Sequence, residues 1–84
     1  MTSYEIILDK IKQFIIENCE KKVLSVEEDK PLSEYILNSI DYIKVIVEVE
    51  EYFEIEFTND DLEISQYTKV SDLVSFIEQK VNGV

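Results

Sequence analysis

Ser39 stands in the stretch ILNSID, residues 36–41, immediately ahead of a long apolar helical run. A serine there has two uses: it can accept bonds from free amide groups at a helix start, or offer its hydroxyl at the surface for attachment. Nothing in this chain can activate that hydroxyl. There is no histidine, which excludes Ser-His-Asp and Cys-His arrangements and imidazole-based zinc sites. The one cysteine, Cys19, excludes Cys-rich metal sites and an internal disulfide. The one glycine is Gly83, so no glycine-rich loop cradles a nucleotide phosphate. The run Asn59, Asp60, Asp61, Glu63 lacks the alternating ligands and central glycine of a calcium loop, and is read as capping a short helix. Carboxylates alone need a cleft to act as an acid/base pair. The chain is expected not to be an enzyme.

Composition narrows the partners. The 84 residues, 45% of them hydrophobic, suffice for one small domain over residues 1–84. Eight lysines and no arginine face nineteen Asp and Glu, for a net charge of −11. Such a surface repels phosphate backbones and anionic membranes, so neither nucleic acid nor membrane is an expected partner. It attracts proteins with Lys and Arg patches. No run approaches the roughly 20 apolar residues needed to span a bilayer. The apolar pieces near the start are broken by Asp9, Lys10, Lys12 and Gln13, unlike a secretory signal. A cytoplasmic monomer is expected.

Three segments carry the period of an amphipathic helix. The first runs from Ser3 to Asn18, with Tyr4, Ile7, Ile11 and Phe14 on one stripe, widened by Leu8 and Ile15. Thr2 and Glu5 have the spacing of a capping box. The second runs from Ser39 to about Glu54, capped by Asn38 or Ser39. In it Tyr42, Ile46, Val49 and Phe53 are the expected core face, and Asp41, Lys44, Glu48 and Glu51 the polar stripe. Ile40 and Val47 fall beside that stripe, as exposed apolar positions close to Ser39. The third covers Val70 to Val81, with Val70, Leu73, Val74, Ile77 and Val81 on one face. Thr68 or Ser71 is its expected cap, and Asn82-Gly83 its end. A short helical turn over Asp60 to Glu63, capped by Thr58 or Asn59, makes a fourth element.

Between the first two helices, Lys21 to Leu37 reads as a long connecting loop containing the only proline, Pro31. Leu24, Val26, Leu32, Tyr35, Ile36 and Leu37 are needed to dock it. Alternation at Glu54 to Phe57 is strand-like but has no evident partner. The expected fold is all-α, a small four-helix bundle of three longer helices and one short one, with a long loop between helices I and II.

This order of parts resembles the acyl and peptidyl carrier proteins. The stretch LNSIDYIKVIVEVEEYFEIEF, residues 37–57, is similar to the family's Asp-Ser-Leu (or Ile), acidic helix and acidic-aromatic turn. YTKVSDLVSFIEQ, residues 67–79, resembles its last helix, entered through a Thr-x-Val step. The resemblance implies that Ser39 takes 4′-phosphopantetheine from coenzyme A through a magnesium-dependent phosphopantetheinyl transferase. The thiol of that arm then holds acyl or aminoacyl groups as thioesters. It further implies docking of the second helix on basic patches of loading and condensing enzymes. Asp41, Glu50 and Glu51 match the family's acidic positions, with Glu48 added from the polar stripe; Ile40 and Val47 match its apolar ones.

Three departures from the family pattern bear on partner choice. Asn38 stands where Asp is usual, Lys44 stands where an acid is common, and the loop Leu62 to Tyr67 is longer than in the commonest form. Asn38 therefore joins the residues expected to decide which transferase and partners accept the chain. The implied function is a discrete carrier in a specialised pathway, of polyketide, nonribosomal-peptide or fatty-acid-like chemistry. The alternative is an acidic helical adaptor that binds a basic protein and is never modified.

Overall fold

The computed structural model describes residues 2–19, 24–63 and 67–83. Its regular elements are α1 (Tyr4–Asn18), a 3-10 turn (Leu32–Glu34), α2 (Ser39–Phe53) and α3 (Val70–Val81). This is the all-α bundle expected. The short fourth helix is present only as a turn: the Leu62 amide donates to Thr58 O and Asn59 O, and the Glu63 amide to Asp60 O. Thr58 and Asp61 cap it reciprocally, the Asp61 amide donating to Thr58 Oγ1 (3.2 Å) and the Thr58 amide to Asp61 Oδ2 (2.9 Å). The connection Leu62–Tyr67 and the loop Lys21–Leu37 lie partly outside the described residues.

Two helix starts differ from the sequence reading. Ser3, not Thr2, caps α1, its Oγ accepting from the Ile6 amide at 3.4 Å. Thr2 instead exchanges two 3.0 Å bonds with Asn82: its amide donates to Asn82 Oδ1, and Asn82 Nδ2 donates to its carbonyl. That pair ties the start of α1 to the end of α3. At α3 neither Thr68 nor Ser71 caps; the Asp72 carboxylate reaches back to accept from the Lys69 amide at 3.1 Å. Helix α2 ends at Glu54, which adopts a left-handed conformation (φ 56°).

The core combines Ile7, Leu8, Ile11, Phe14 and Ile15 of α1 with Tyr42, Val45, Ile46 and Val49 of α2 and Val70, Leu73, Val74 and Ile77 of α3. Phe53 and Val81 pack only at its edge. Phe14 meets Tyr52 and Asn18 meets Glu48, so α1 and α2 run antiparallel. The long loop is held by Val26, Leu32, Tyr35 and Ile36, all buried. Each fully buried aliphatic side chain contributes ~1.5–3 kcal/mol, against ~1–2 kcal/mol per residue for ordering the backbone. Leu24 and Leu37, expected to dock, are 85% and 62% exposed. Residues 55–58 are irregular, and the strand-like alternation there forms no strand.

Candidate functional site

Helix α2 begins where the sequence places it. Asn38 is extended (φ −146°, ψ 164°), and its Oδ1 accepts from the Asp41 amide at 2.8 Å. Its carbonyl accepts the first intrahelical bond, from the Tyr42 amide. Ser39 is therefore the first residue of the helix proper and is exposed. The positive end of the helix dipole lies at this point. Capping by Asn38 leaves the Ser39 hydroxyl uncommitted to the cap.

A groove of about 450 Å³ opens beside Ser39. Leu32, Ile36 and Tyr67 supply buried walls, and Pro31, Leu37 and Thr68 lie at its rim. Its two sides come from distant parts of the chain and are stitched by backbone bonds. The Leu32 amide donates to Thr68 O (3.0 Å), the Val70 amide to Lys30 O (3.0 Å) and the Ser71 amide to Glu28 O (2.8 Å). Pro31, which sets the backbone for the 3-10 turn, also makes an isolated bridge with Lys69. The long loop thus serves to build one wall of the groove.

The expected docking residues separate into two sets. Ile40 and Val47 are 66% and 44% exposed, and Glu51 and Asn38 are exposed as well. Asp41 is not: it is 1% exposed, and its Oδ2 accepts from Asn38 Nδ2 at 3.4 Å. Glu48 is half-buried and accepts from Asn18 Nδ2 at 2.9 Å. Glu50 is half-buried on the other flank, its Oε2 accepting from the Phe57 amide at 2.9 Å. Glu48 is drawn onto α1 by Asn18, and Asp41, seven residues earlier on the same flank, is buried near Cys19 at the end of α1. Their polar character pointed to solvent, but helix packing set their exposure. The face that α2 does leave open carries Ile40, Ile43, Lys44, Val47 and Glu51. Ile43 and Lys44 were missed as site residues. The apolar spacing at 40, 43 and 47 was the signal available for them.

Titration behaviour follows burial. Burial, and after it the Asp41 carboxylate, pushes the Cys19 thiol up to about 11. Burial also raises the Tyr42 and Tyr67 phenols, whose hydroxyls both donate to Asp61 O, at 3.2 Å and 3.0 Å. Neither Cys19, Tyr42 nor Tyr67 is poised to act as a base or nucleophile near neutral pH. No group of His, Cys, Asp or Glu among the described residues is arranged to hold a metal ion.

Comparison with known proteins adds to this geometry. Residues 9–77 match the family model described as "Phosphopantetheine attachment site". The acyl carrier protein of Phytoplasma mali is 28% identical over 78 residues, covering 92% of this chain and 90% of that protein. An acyl carrier protein homolog of Mycoplasmopsis pulmonis is 31% identical over 71 residues, covering 83% and 94%. A crystal structure of acyl carrier protein from Thermotoga maritima superposes with a TM-score of 0.75 at 25% identity, covering 95% of this chain and 92% of that one.

Proposed function

We propose, for a chain that belongs to the acyl carrier protein family, that Ser39 is the residue to which the family's covalent 4′-phosphopantetheine is attached. The observation that carries this reading is the exposed Ser39 at the first position of α2, beside an open groove. The residues present suit the group. A phosphate on Ser39 Oγ would lie at the positive end of the α2 dipole. The apolar walls Leu32 and Ile36, with Leu37 at the rim, would receive the arm's neutral portion, with Thr68 and Asn38 as polar neighbours. When bound, the group supplies a thiol that holds an acyl or aminoacyl chain as a thioester.

The chain's own contribution is attachment and delivery. The family's domains are carriers rather than catalysts, and this site agrees with that role. Serine is a weak nucleophile at neutral pH, and the nearby Asp41 carboxylate is buried against Asn38. The base that takes the Ser39 proton, and the Mg²⁺, therefore come with the transferase. Tethering then raises the local concentration of cargo at each successive enzyme. Ile40, Val47 and Glu51 are the docking positions that remain available on α2, with Asn38 beside the attachment point. Lys44 and Asn38, departures from the common pattern, support a specialised biosynthetic pathway with its own loading and condensing enzymes. No helix among the described residues is long and apolar enough to cross a membrane.

The test is incubation of the apo protein with coenzyme A, Mg²⁺ and a broad-specificity phosphopantetheinyl transferase, followed by intact mass. The wild type is expected to gain one phosphopantetheine and Ser39→Ala none. No gain with several transferases would overturn the assignment and leave the unmodified adaptor.

A further inference from the structure

The open face of α2 that continues from Ser39 is apolar, with a cation at its centre. Ile40, Ile43 and Val47 are 66%, 46% and 44% exposed, and their spacing places them in one stripe. Lys44 is exposed, i+4 from Ile40 and i−3 from Val47, and has no ion pair among the described residues. The acids that would have reversed this sign are turned away: Asp41 is buried, and Glu48 and Glu50 are bonded to Asn18 and to the Phe57 amide. Within α2 the exposed carboxylate is Glu51, with Glu54 and Glu56 exposed just beyond the end of the helix.

We infer that the transferase acting on Ser39 seats an apolar surface on Ile40, Ile43 and Val47 and places a carboxylate against Lys44. This rests on the reading of Ser39 as the attachment residue. An enzyme that reaches Ser39 Oγ meets Ile40, its immediate neighbour and the first residue of the stripe. Lys44 lies ~7.5 Å along the helix axis from Ser39, and Glu51 a further ~10 Å, at 1.5 Å per residue. Opposite charges at two heights fix the direction in which a partner can lie along α2. A transferase with a basic group at the height of Lys44 meets like charge and is rejected; one with an acid there and a base at the height of Glu51 is accepted.

The test uses the full-length apo protein and the transferase purified from the source organism. Loading kinetics are measured for wild type, Lys44→Glu and Lys44→Gln, with Ser39→Ala as control and circular dichroism to confirm the fold. Lys44→Glu is expected to raise KM about tenfold at low salt with kcat within about twofold. Lys44→Gln gives a smaller rise, and added salt narrows both differences. A KM for Lys44→Glu within about twofold of wild type, or below it, overturns the inference while loading at Ser39 stands. No loading of wild type, or loading of Ser39→Ala, overturns the Ser39 assignment and this inference with it.

Discussion

Asn38 and Asp41 bond to one another twice: the Asp41 amide donates to Asn38 Oδ1 at 2.8 Å, and Asn38 Nδ2 donates to Asp41 Oδ2 at 3.4 Å. The second bond requires an amide at position 38. Asn38→Ala is expected to cost about 1 kcal/mol, the usual value of a lost N-cap. Asn38→Asp keeps the acceptor but sets two carboxylates against each other, one of them buried. Despite the family's preference for Asp there, this variant is expected to be less stable than wild type in urea unfolding near neutral pH. A more stable Asn38→Asp protein would contradict this, showing that the gain from a charge at the helix start outweighs the lost bond.

Tyr42 and Tyr67 share one acceptor, the Asp61 carbonyl. Removing either hydroxyl leaves that oxygen one donor, so Tyr42→Phe and Tyr67→Phe should each cost at most about 1 kcal/mol. The double variant strips both donors from a partly buried carbonyl and should cost more than the sum of the single changes. Additive losses in a double-mutant cycle would mean the two bonds are independent, and sub-additive losses that the two hydroxyls depend on one another; either would contradict the shared-acceptor account.

Asp61 also sets the acid limit of the turn after α2. The Thr58 amide, then the Thr58 hydroxyl and the Lys80 ammonium 3.3 Å away, hold its carboxyl below the ordinary 3.8. A group with a depressed folded pKa contributes stability above its unfolded pKa, and that contribution is lost as pH falls through the folded value. Asp61→Asn should therefore be less stable than wild type at neutral pH, and the gap should close below about pH 4. A constant gap from neutral to strongly acid conditions would contradict this origin.

Cys19 is half-buried, and its thiol is raised from 9.0 to about 11. That shift lowers its thiolate fraction at pH 8 roughly a hundredfold. The apo protein should react slowly with a thiol-specific disulfide reagent, and the holo protein should show one additional, fast thiol. Fast labelling of apo protein that Cys19→Ser abolishes would contradict it. The raised pKa also has a stability consequence. The contribution is full below about pH 9 and is lost as pH rises through about 11.

The sequence reading succeeded where side-chain type and helical period agree. The stripes of α1 and α3, the start of α2 at Asn38-Ser39 and the docking of Val26, Leu32, Tyr35 and Ile36 all follow from apolar spacing and capping chemistry. It failed where a neighbouring element overrides polarity. Asp41 and Glu48 fall on the polar stripe of α2, yet Asp41 is buried and Glu48 is bonded to Asn18 of α1; Glu50, matched through the resemblance alone, is held by the Phe57 amide. Ile43 was hidden because its exposure depends on which flank of α2 is covered, whereas Lys44 was legible as a polar-stripe residue. The groove was illegible because its walls are 30 or more residues apart in the chain.

The central claim is that Ser39 itself carries the arm, and the most direct measurement is fragmentation mass spectrometry of the transferase-loaded protein. One phosphopantetheine is expected on the peptide containing Ser39, located at that serine and at neither Ser33 nor Ser71. Loading found on another hydroxyl, with Ser39 unmodified, would contradict the account.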